Sequence, residues 1–281
     1  SEHHCRTHLQ MTPGEHIERI VETVSYARQK DVRVGVYLED WSNGVRDSFD
    51  YVTSIVNAIQ TLDIERIYLA DTLGVLAPDD VRHFVSVMAI TWPDAEFEFH
   101  GHNDYGLATA NAIAAIQAGT RGVHVSVNGL GERAGNTSLA EIVAAISDHT
   151  DCVTGVNESR LAVISSLVET FSGKNVSANA PILGTDVFTQ TAGVHADGDA
   201  KGDLYATRLA PQRFGRERRY ALGKLSGKAS LDHNLARLGI TLSDMNRQKV
   251  LDRIIELGDK KHTVVPEDLL MIIADVLKTP T

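Results

Sequence analysis

The chain has 281 residues, 43% of them hydrophobic and 23% charged, enough to bury a sizeable core in one or two ordinary domains. A formal net charge of −10 argues against non-specific nucleic-acid binding, and it means that an anionic substrate must be held by local positive groups or a metal ion. No apolar run approaches the roughly 20 residues of a membrane span, the polar start Ser1-Glu2-His3-His4-Cys5 is no signal peptide, and Cys5 and Cys152 make no disulfide framework. A cytoplasmic protein without membrane or nucleic-acid partners is expected.

Residues 1–5 read as the end of a strand fragment. Residues 12–30 read as an amphipathic helix, with Thr12 as N-cap, Pro13 at the first helical position, Glu15 three residues on, and Ile17, Ile20, Val21 and Val24 on one face. Residues 32–38 form a buried strand that ends in Glu39-Asp40-Trp41-Ser42, where an exposed carboxylate is usually just solvated. A helix over 48–62 and a strand over 64–70 follow, the strand ending in Asp71-Thr72-Leu73-Gly74. Asp71 there suits the capping of a turn. Residues 78–91 are helical.

The next stretch organises the chain. Residues 96–100 alternate as a strand and run into His100-Gly101-His102-Asn103-Asp104. Residues two apart in a strand share a face, so His100 and His102 project into one space, where neutral imidazoles make a natural pair of metal ligands. Taken alone, a His-x-His pair is more often a surface pair. Here Asn103 and Asp104 cap a helix over 105–118, and a strand over 122–128 runs into the Gly-rich loop 128–136. Three glycines are also what a tight loop entering a helix requires. The strand-loop-helix-strand-loop order puts both loops at the C-terminal edge of a parallel sheet, where α/β barrels carry their chemistry.

Helix 139–146 closes the barrel portion, residues 153–172 are helical, and 175–181 read as a linker. Residues 188–198 contain Gly193-Val194-His195-Ala196-Asp197. The rest, 216–281, is a small subdomain with helices at 230–238, 245–257 and 266–277. Its Gly- and Lys-rich segment 220–228 fails the phosphate-loop spacing, which rejects a nucleoside triphosphate site. The expected division is 1–150 partial barrel, 151–215 linker and first subdomain, and 216–281 second subdomain.

His100-Gly-His-Asn-Asp104 together with Asn128-Gly-Leu-Gly-Glu-Arg-Ala-Gly-Asn136 resembles the signature of the 2-isopropylmalate, homocitrate and citramalate synthase family. The likeness extends through Leu38-Glu-Asp40, Ala70-Asp-Thr-Leu-Gly74, Gly193-Val-His-Ala-Asp197 and Leu222-Gly-Lys-Leu-Ser-Gly-Lys228. It implies the C-terminal part of a (β/α)8 TIM barrel, followed by a linker and small α-helical subdomains. It also implies an acyltransferase that condenses acetyl-CoA with a 2-oxo acid on a divalent metal (Zn, Mn or Mg). The leading expectation is a 2-isopropylmalate synthase-like enzyme of leucine biosynthesis, with citramalate synthase next and homocitrate synthase third.

By the same resemblance, His100 and His102 are metal ligands with Asn136 near the metal, while Glu132 and Arg133 shape the site floor. Thr72 hydrogen-bonds the oxo acid's carboxylate, and Glu39 is an active-site residue. His195 is an acid/base group supplied by a neighbouring subunit, with Asp197 orienting it and Tyr205 completing the site, so a homodimer with exchanged C-terminal segments is implied.

Four clear strands and one possible stub fall short of the eight of a TIM barrel, so the chain is expected to begin mid-barrel. Nothing in it matches the family's Arg-Asp-Gly-Glu-like first strand, which supplies a third metal ligand. A two-ligand site should bind metal weakly and leave the isolated chain inactive. The family's oxo-acid wall comes largely from those first strands, and no C-terminal regulatory domain is expected. Two other classes fit less well: a 3-hydroxy-3-methylglutaryl-CoA lyase, which usually carries a cysteine in the Gly-rich loop, and a non-catalytic subunit of a split barrel.

Overall fold

The computed structural model describes residues 1–190, 197–198, 201–202, 204–260, 264 and 266–278, in two compact units, Ser1–Val156 and Asn157–Thr281. Among the described residues no helix is long and apolar enough to cross a membrane.

The first unit opens with α1 (Glu2–Thr7) and α2 (Pro13–Gln29) and continues through β1 (Gly35–Leu38), α3 (Trp41–Asp47), α4 (Phe49–Ile59), β2 (Arg66–Asp71), α5 (Pro78–Thr91), β3 (Phe97–Gly101), α6 (Ala108–Gln117), β4 (Gly122–His124) and α7 (Leu139–His149). The strands lie in the order β1-β2-β3-β4, every pair parallel, with Leu38 opposite Leu69, Ala70 opposite His100, and His100 opposite His124. Each strand is followed by helix, which is the repeating unit of a TIM barrel. Ile67, Leu69, Phe97 and Phe99 point to one side of the sheet, where Val56, Ile59, Val81, Val85, Met88, Ala115 and Ile142 of the helices bury them. Each fully buried aliphatic or Phe side chain contributes about 1.5–3 kcal/mol.

Local chemistry sets the element ends. At α2, Thr12 Oγ1 accepts from the Glu15 N–H at 3.3 Å and Glu15 Oε2 accepts from the Thr12 N–H at 2.8 Å, the reciprocal cap that the sequence predicts. Residues 1–5 differ from expectation. They belong to a helix, since Ser1 Oγ accepts from the His4 N–H and Glu2 pairs with Arg6 one turn on. The helix expected from 105 begins at Ala108, because Asn103 Oδ1 caps the Ala108 N–H at 3.1 Å while Asp104 is drawn to Arg133. The strand expected over 122–128 stops at His124, and Asn128 turns left-handed (φ +61°) in a 3-10 turn over Val127–Gly129.

The second unit carries α8 (Leu161–Ser172), a two-stranded parallel pair β5 (Thr189–Gln190) and β6 (Arg219–Tyr220), and helices α9 (Lys228–Arg237), α10 (Asp244–Asp259) and α11 (Pro266–Lys278). The helix expected from 153 starts at Leu161 instead. Asn157 Oδ1 takes the Ser159 N–H at 3.1 Å, and Glu158 pairs with Arg213, so the chain is held in a turn before the helix opens. Leu231, Val250, Ile254 and Leu269 centre this unit's own core.

Candidate metal and substrate site

The alternation of β3 decides what it presents. With Phe97 and Phe99 committed to the helix side, Glu98 and His100 face the opposite side of the sheet, and His102 continues that row just past the strand end. His100 Nε2 and His102 Nε2 stand 3.4 Å apart with the rings nearly perpendicular. Two imidazole nitrogens bound to one ion at about 2.1 Å and a tetrahedral angle are separated by about the same distance. Burial, helped by His102 and His124, pushes the His100 imidazole down to about 4 from its ordinary value, so it is neutral and its lone pair is available near pH 7.

Asn136 joins this pair. It forms an antiparallel bridge with His102, its N–H donates to Gly129 O at 3.0 Å, and its side-chain amide donates to Leu130 O at 3.1 Å. Asn136 Oδ1 is buried without a hydrogen-bond partner, an acceptor left for a ligand. Two imidazoles and an amide oxygen suit a borderline divalent cation. Among the described residues no group of three His, Cys, Asp or Glu side chains is arranged to hold one.

The neighbouring loops are tied to one another. Thr72 Oγ1 accepts from the Asp40 N–H at 2.9 Å, which leaves the hydroxyl proton free to donate and links Thr72 to the residue after Glu39. Glu39 itself is exposed. Asp71 is fully buried on the helix side, and its carboxylate accepts from the N–H groups of Val75 and Leu76 at 3.0 and 3.1 Å, which is the capping role. Arg133 makes two bonds to Asp104, at 2.8 and 2.9 Å, and a third to Thr72 O at 2.7 Å. That guanidinium holds the Asp104 carboxyl below its usual range.

His102, Asn136, Thr72 and Glu39 are thus carried on loops of the first unit, and His100 stands near the end of β3. Asp197 and Tyr205 belong to the second, where Asp197 pairs with Lys201 at 2.6 Å and the Tyr205 ring covers Gly198. His195 lies outside the described residues. The sequence reading passes over a further set on the His100 side of the sheet. Tyr37 Oη bonds His124 Nδ1, His124 Nε2 lies 2.9 Å from Glu98 Oε2, and Arg66 donates to Glu98 Oε1 at 2.5 Å. The available signal was the two-residue spacing from Tyr37 to Glu39 and from Glu98 to His100.

The family model described as HMGL-like matches residues 1–168, and the model described as Homocitrate synthase post-HMGL domain-like matches residues 182–262. A Methanopyrus kandleri protein provisionally named (R)-citramalate synthase CimA is 36% identical over 283 residues, covering 100% of this chain and 55% of that protein. An Ignicoccus hospitalis protein provisionally named 2-isopropylmalate synthase is 36% identical over 99% of this chain and 69% of its own length. A homocitrate synthase of Saccharolobus islandicus is 37% identical over 90% of this chain and 54% of its own. The chain therefore spans between about half and two thirds of the length of these relatives. Among solved structures, an HMG-CoA lyase of Bacillus subtilis superposes with a TM-score of 0.56 at 23% identity, over 63% of this chain and 62% of that one, which is a likeness of fold. With one family model running through the whole first unit, and with relatives more than a third identical along nearly its full length, the chain belongs to the HMGL-like family.

Proposed function

We propose that the protein is an acyltransferase that joins the acetyl group of acetyl-CoA to a 2-oxo acid and releases free CoA, with 2-oxoisovalerate as the leading oxo acid and pyruvate and 2-oxoglutarate as alternatives. The observation that carries this reading is the His100–His102 pair, with facing nitrogens 3.4 Å apart beside the Asn136 amide and Thr72. Relatives named for three different products at nearly equal identity support the reaction class more firmly than the substrate.

In this reading His100, His102 and Asn136 hold a divalent cation, which when bound supplies Lewis-acid polarisation of the oxo acid's ketone. The Thr72 hydroxyl donates to the substrate carboxylate. Glu39 or His195 takes a proton from the acetyl methyl group, the resulting carbon attacks the ketone carbon, and the new alkoxide is protonated. Water then cleaves the thioester to a carboxylate and CoA thiol, which draws the condensation forward. His195, with Asp197 and Tyr205, would arrive from the second subunit of a homodimer with exchanged C-terminal segments. The division into barrel 1–150, linker 151–215 and subdomain 216–281 belongs to the same proposal, as does a cytoplasmic location.

The test is acetyl-CoA-dependent thiol release with pyruvate, 2-oxoisovalerate and 2-oxoglutarate and added Mg²⁺, Mn²⁺ or Zn²⁺. It is run on this chain alone and on this chain joined to a family segment that supplies the remaining barrel strands. Turnover that disappears in His102→Ala establishes the reading and names the acid. Silence from a folded, metal-loaded, barrel-complete protein with every acid overturns it. Cleavage of 3-hydroxy-3-methylglutaryl-CoA by the same protein would favour a lyase, although the loop 128–136 has no cysteine.

A further inference from the structure

The second unit carries a helix start that its own side chains leave unfilled. Helix α9 begins after Gly227, whose backbone is extended (φ −110°, ψ 178°) and which has no side chain to serve as a cap, and the first turn holds no Asp or Glu. The first N–H groups of a helix have no intrahelical acceptor, and together with the helix dipole they favour a negative charge. At α10 the chain meets that need itself, since Ser243 Oγ accepts from the Asn246 N–H at 3.3 Å and Asp244 stands in the first turn. At α9 no side chain does so.

Ser230, the third residue of α9, is 1% exposed, and its Oγ is buried without a hydrogen-bond partner. Helix side chains tilt toward the N-terminus, and at the third position they reach back over the first turn, so this hydroxyl is directed at the uncapped end. Lys228, the first residue, is exposed and has no ion-pair partner among the described residues. Nearby cations are engaged, Arg213 with Glu158 and Lys224 with Asp259. The loop that leads into the helix is held in shape. Ser226 Oγ accepts from the Gly223 N–H at 2.8 Å, and the Ser226 N–H donates to Gly223 O at 3.0 Å. A Cβ on Gly258 would fall 2.0 Å from the Lys224 nitrogen, so the end of α10 lies directly on the loop backbone.

We propose that the first turn of α9 is a binding site for a single phosphate group, held by the N–H groups of the turn, the Ser230 hydroxyl and the Lys228 ammonium. Donors of three kinds suit the three oxygens of a phosphate better than the two of a carboxylate, and a lysine serves phosphate as a point charge. One lysine and one helix turn match one phosphate, in agreement with the failure of 220–228 to fit a nucleoside triphosphate loop. Lys228 is exposed and Gly227 and Ala229 are half-buried, which leaves a side of the turn open to solvent. The phosphate is either free in solution or a terminal monoester such as the 3′-phosphate of CoA. The site stands independently of the synthase reading, because its occupancy is measured without turnover.

The experiment titrates the full chain with inorganic phosphate, CoA and dephospho-CoA by calorimetry in a phosphate-free buffer, and follows the melting temperature alongside. Inorganic phosphate should bind the wild-type chain at one site and raise its melting temperature. Gly227→Asp puts a carboxylate at the N-cap, and it should weaken phosphate binding about tenfold or more while the melting temperature without phosphate stays equal or rises, so that lost binding is not lost folding. Lys228→Gln and Ser230→Ala should each weaken binding about three- to tenfold. A wild-type preference for CoA over dephospho-CoA that disappears in Gly227→Asp assigns the site to the monoester, and equal affinity for the two, with inorganic phosphate bound, assigns it to free phosphate. A wild-type chain with neither a phosphate heat nor a preference for CoA overturns the proposal. So does a phosphate affinity unchanged in both Gly227→Asp and Lys228→Gln, which would place the anion elsewhere.

Discussion

The same strands of the first unit show two unlike faces. On the helix side, β2 and β3 present Ile67, Leu69, Phe97 and Phe99, each no more than 2% exposed. On the other side stand Tyr37, Tyr68, Glu98, His100 and His124, linked by ring contacts and hydrogen bonds, with Tyr37 about half exposed. Because successive residues alternate, folding is driven by one set of side chains and chemistry is offered by the other, and substitutions on the two faces should separate stability from activity. Phe99→Ala gives the largest expected effect. It leaves a cavity in the helix-side core and should lower unfolding free energy by about 3–5 kcal/mol in a denaturant titration, with cation binding preserved in the folded fraction. His102→Ala is the opposite case. Its melting temperature should stay close to wild type, while divalent-cation uptake and thiol release fall about a hundredfold or more. A His102→Ala protein that loses stability as Phe99→Ala does, and keeps its cation, would break the division between the faces.

His100 belongs to both categories, since burial holds its imidazole down to about 4. In the unfolded chain a histidine binds its proton near its ordinary value of about 6.5, whereas folded His100 stays neutral well below that. Between these two values the unfolded state therefore binds more protons, and stability falls as pH is lowered through the window. Solvent screening at this partly exposed ring reduces the effect to about 1–2 kcal/mol between pH 7 and pH 4. The measurement is unfolding of the metal-free protein at a series of pH values. His100→Asn should flatten that slope, and an unchanged slope would mean that other groups carry the acid sensitivity.

What could be read from the sequence follows the range of the interactions involved. The Thr12–Glu15 cap, the Pro78 helix start and the two-residue spacing of His100 and His102 are local, and the structure agrees with each. The Gly-rich loop was legible in its three glycines, and its need for glycine is physical: a Cβ on Gly135 would fall 1.9 Å from Gly129 O. Helix α3 was missed because Ser42, Asn43 and Gly44 are weak helix formers, and burial of Trp41 and Val45 against the core overrides that preference. Helix α1 was missed because its stabilising contacts, the Ser1 cap and the Glu2–Arg6 pair, are visible only once the residues are wound. The Tyr37–His124–Glu98–Arg66 chain was legible only in part, since two-residue spacing puts Glu98 on the His100 face but does not pair the strands. Which side chains meet across four strands depends on register, and a slip of one residue would move every member to the other face.

Arg133 shows the same dependence on register-setting loops at the smallest expected scale. Its position after β4 gives it no reason in sequence to meet Thr72 or Asp104, yet it bonds the carboxylate after β3 twice and the carbonyl after β2 once. It also adopts a left-handed backbone (φ +52°), which a non-glycine residue holds only when its surroundings fix it. The three loops that carry Thr72, His102 and Asn136 are therefore cross-tied by one guanidinium. An exposed charge pair contributes little to global stability, so Arg133→Gln should leave the melting temperature nearly unchanged. Loosened loops should instead raise KM for the oxo acid by about two- to fivefold, with kcat less affected. Arg133→Lys keeps the charge but cannot reach both Asp104 oxygens and Thr72 O together, and it should recover only part of the loss. Asp104→Asn combined with Arg133→Gln should be no worse than either change alone, because each removes the same tie. Additive losses in that pair would mean that Arg133 and Asp104 serve the site separately, and the unit of preorganisation would then be the single loop rather than the three bound together.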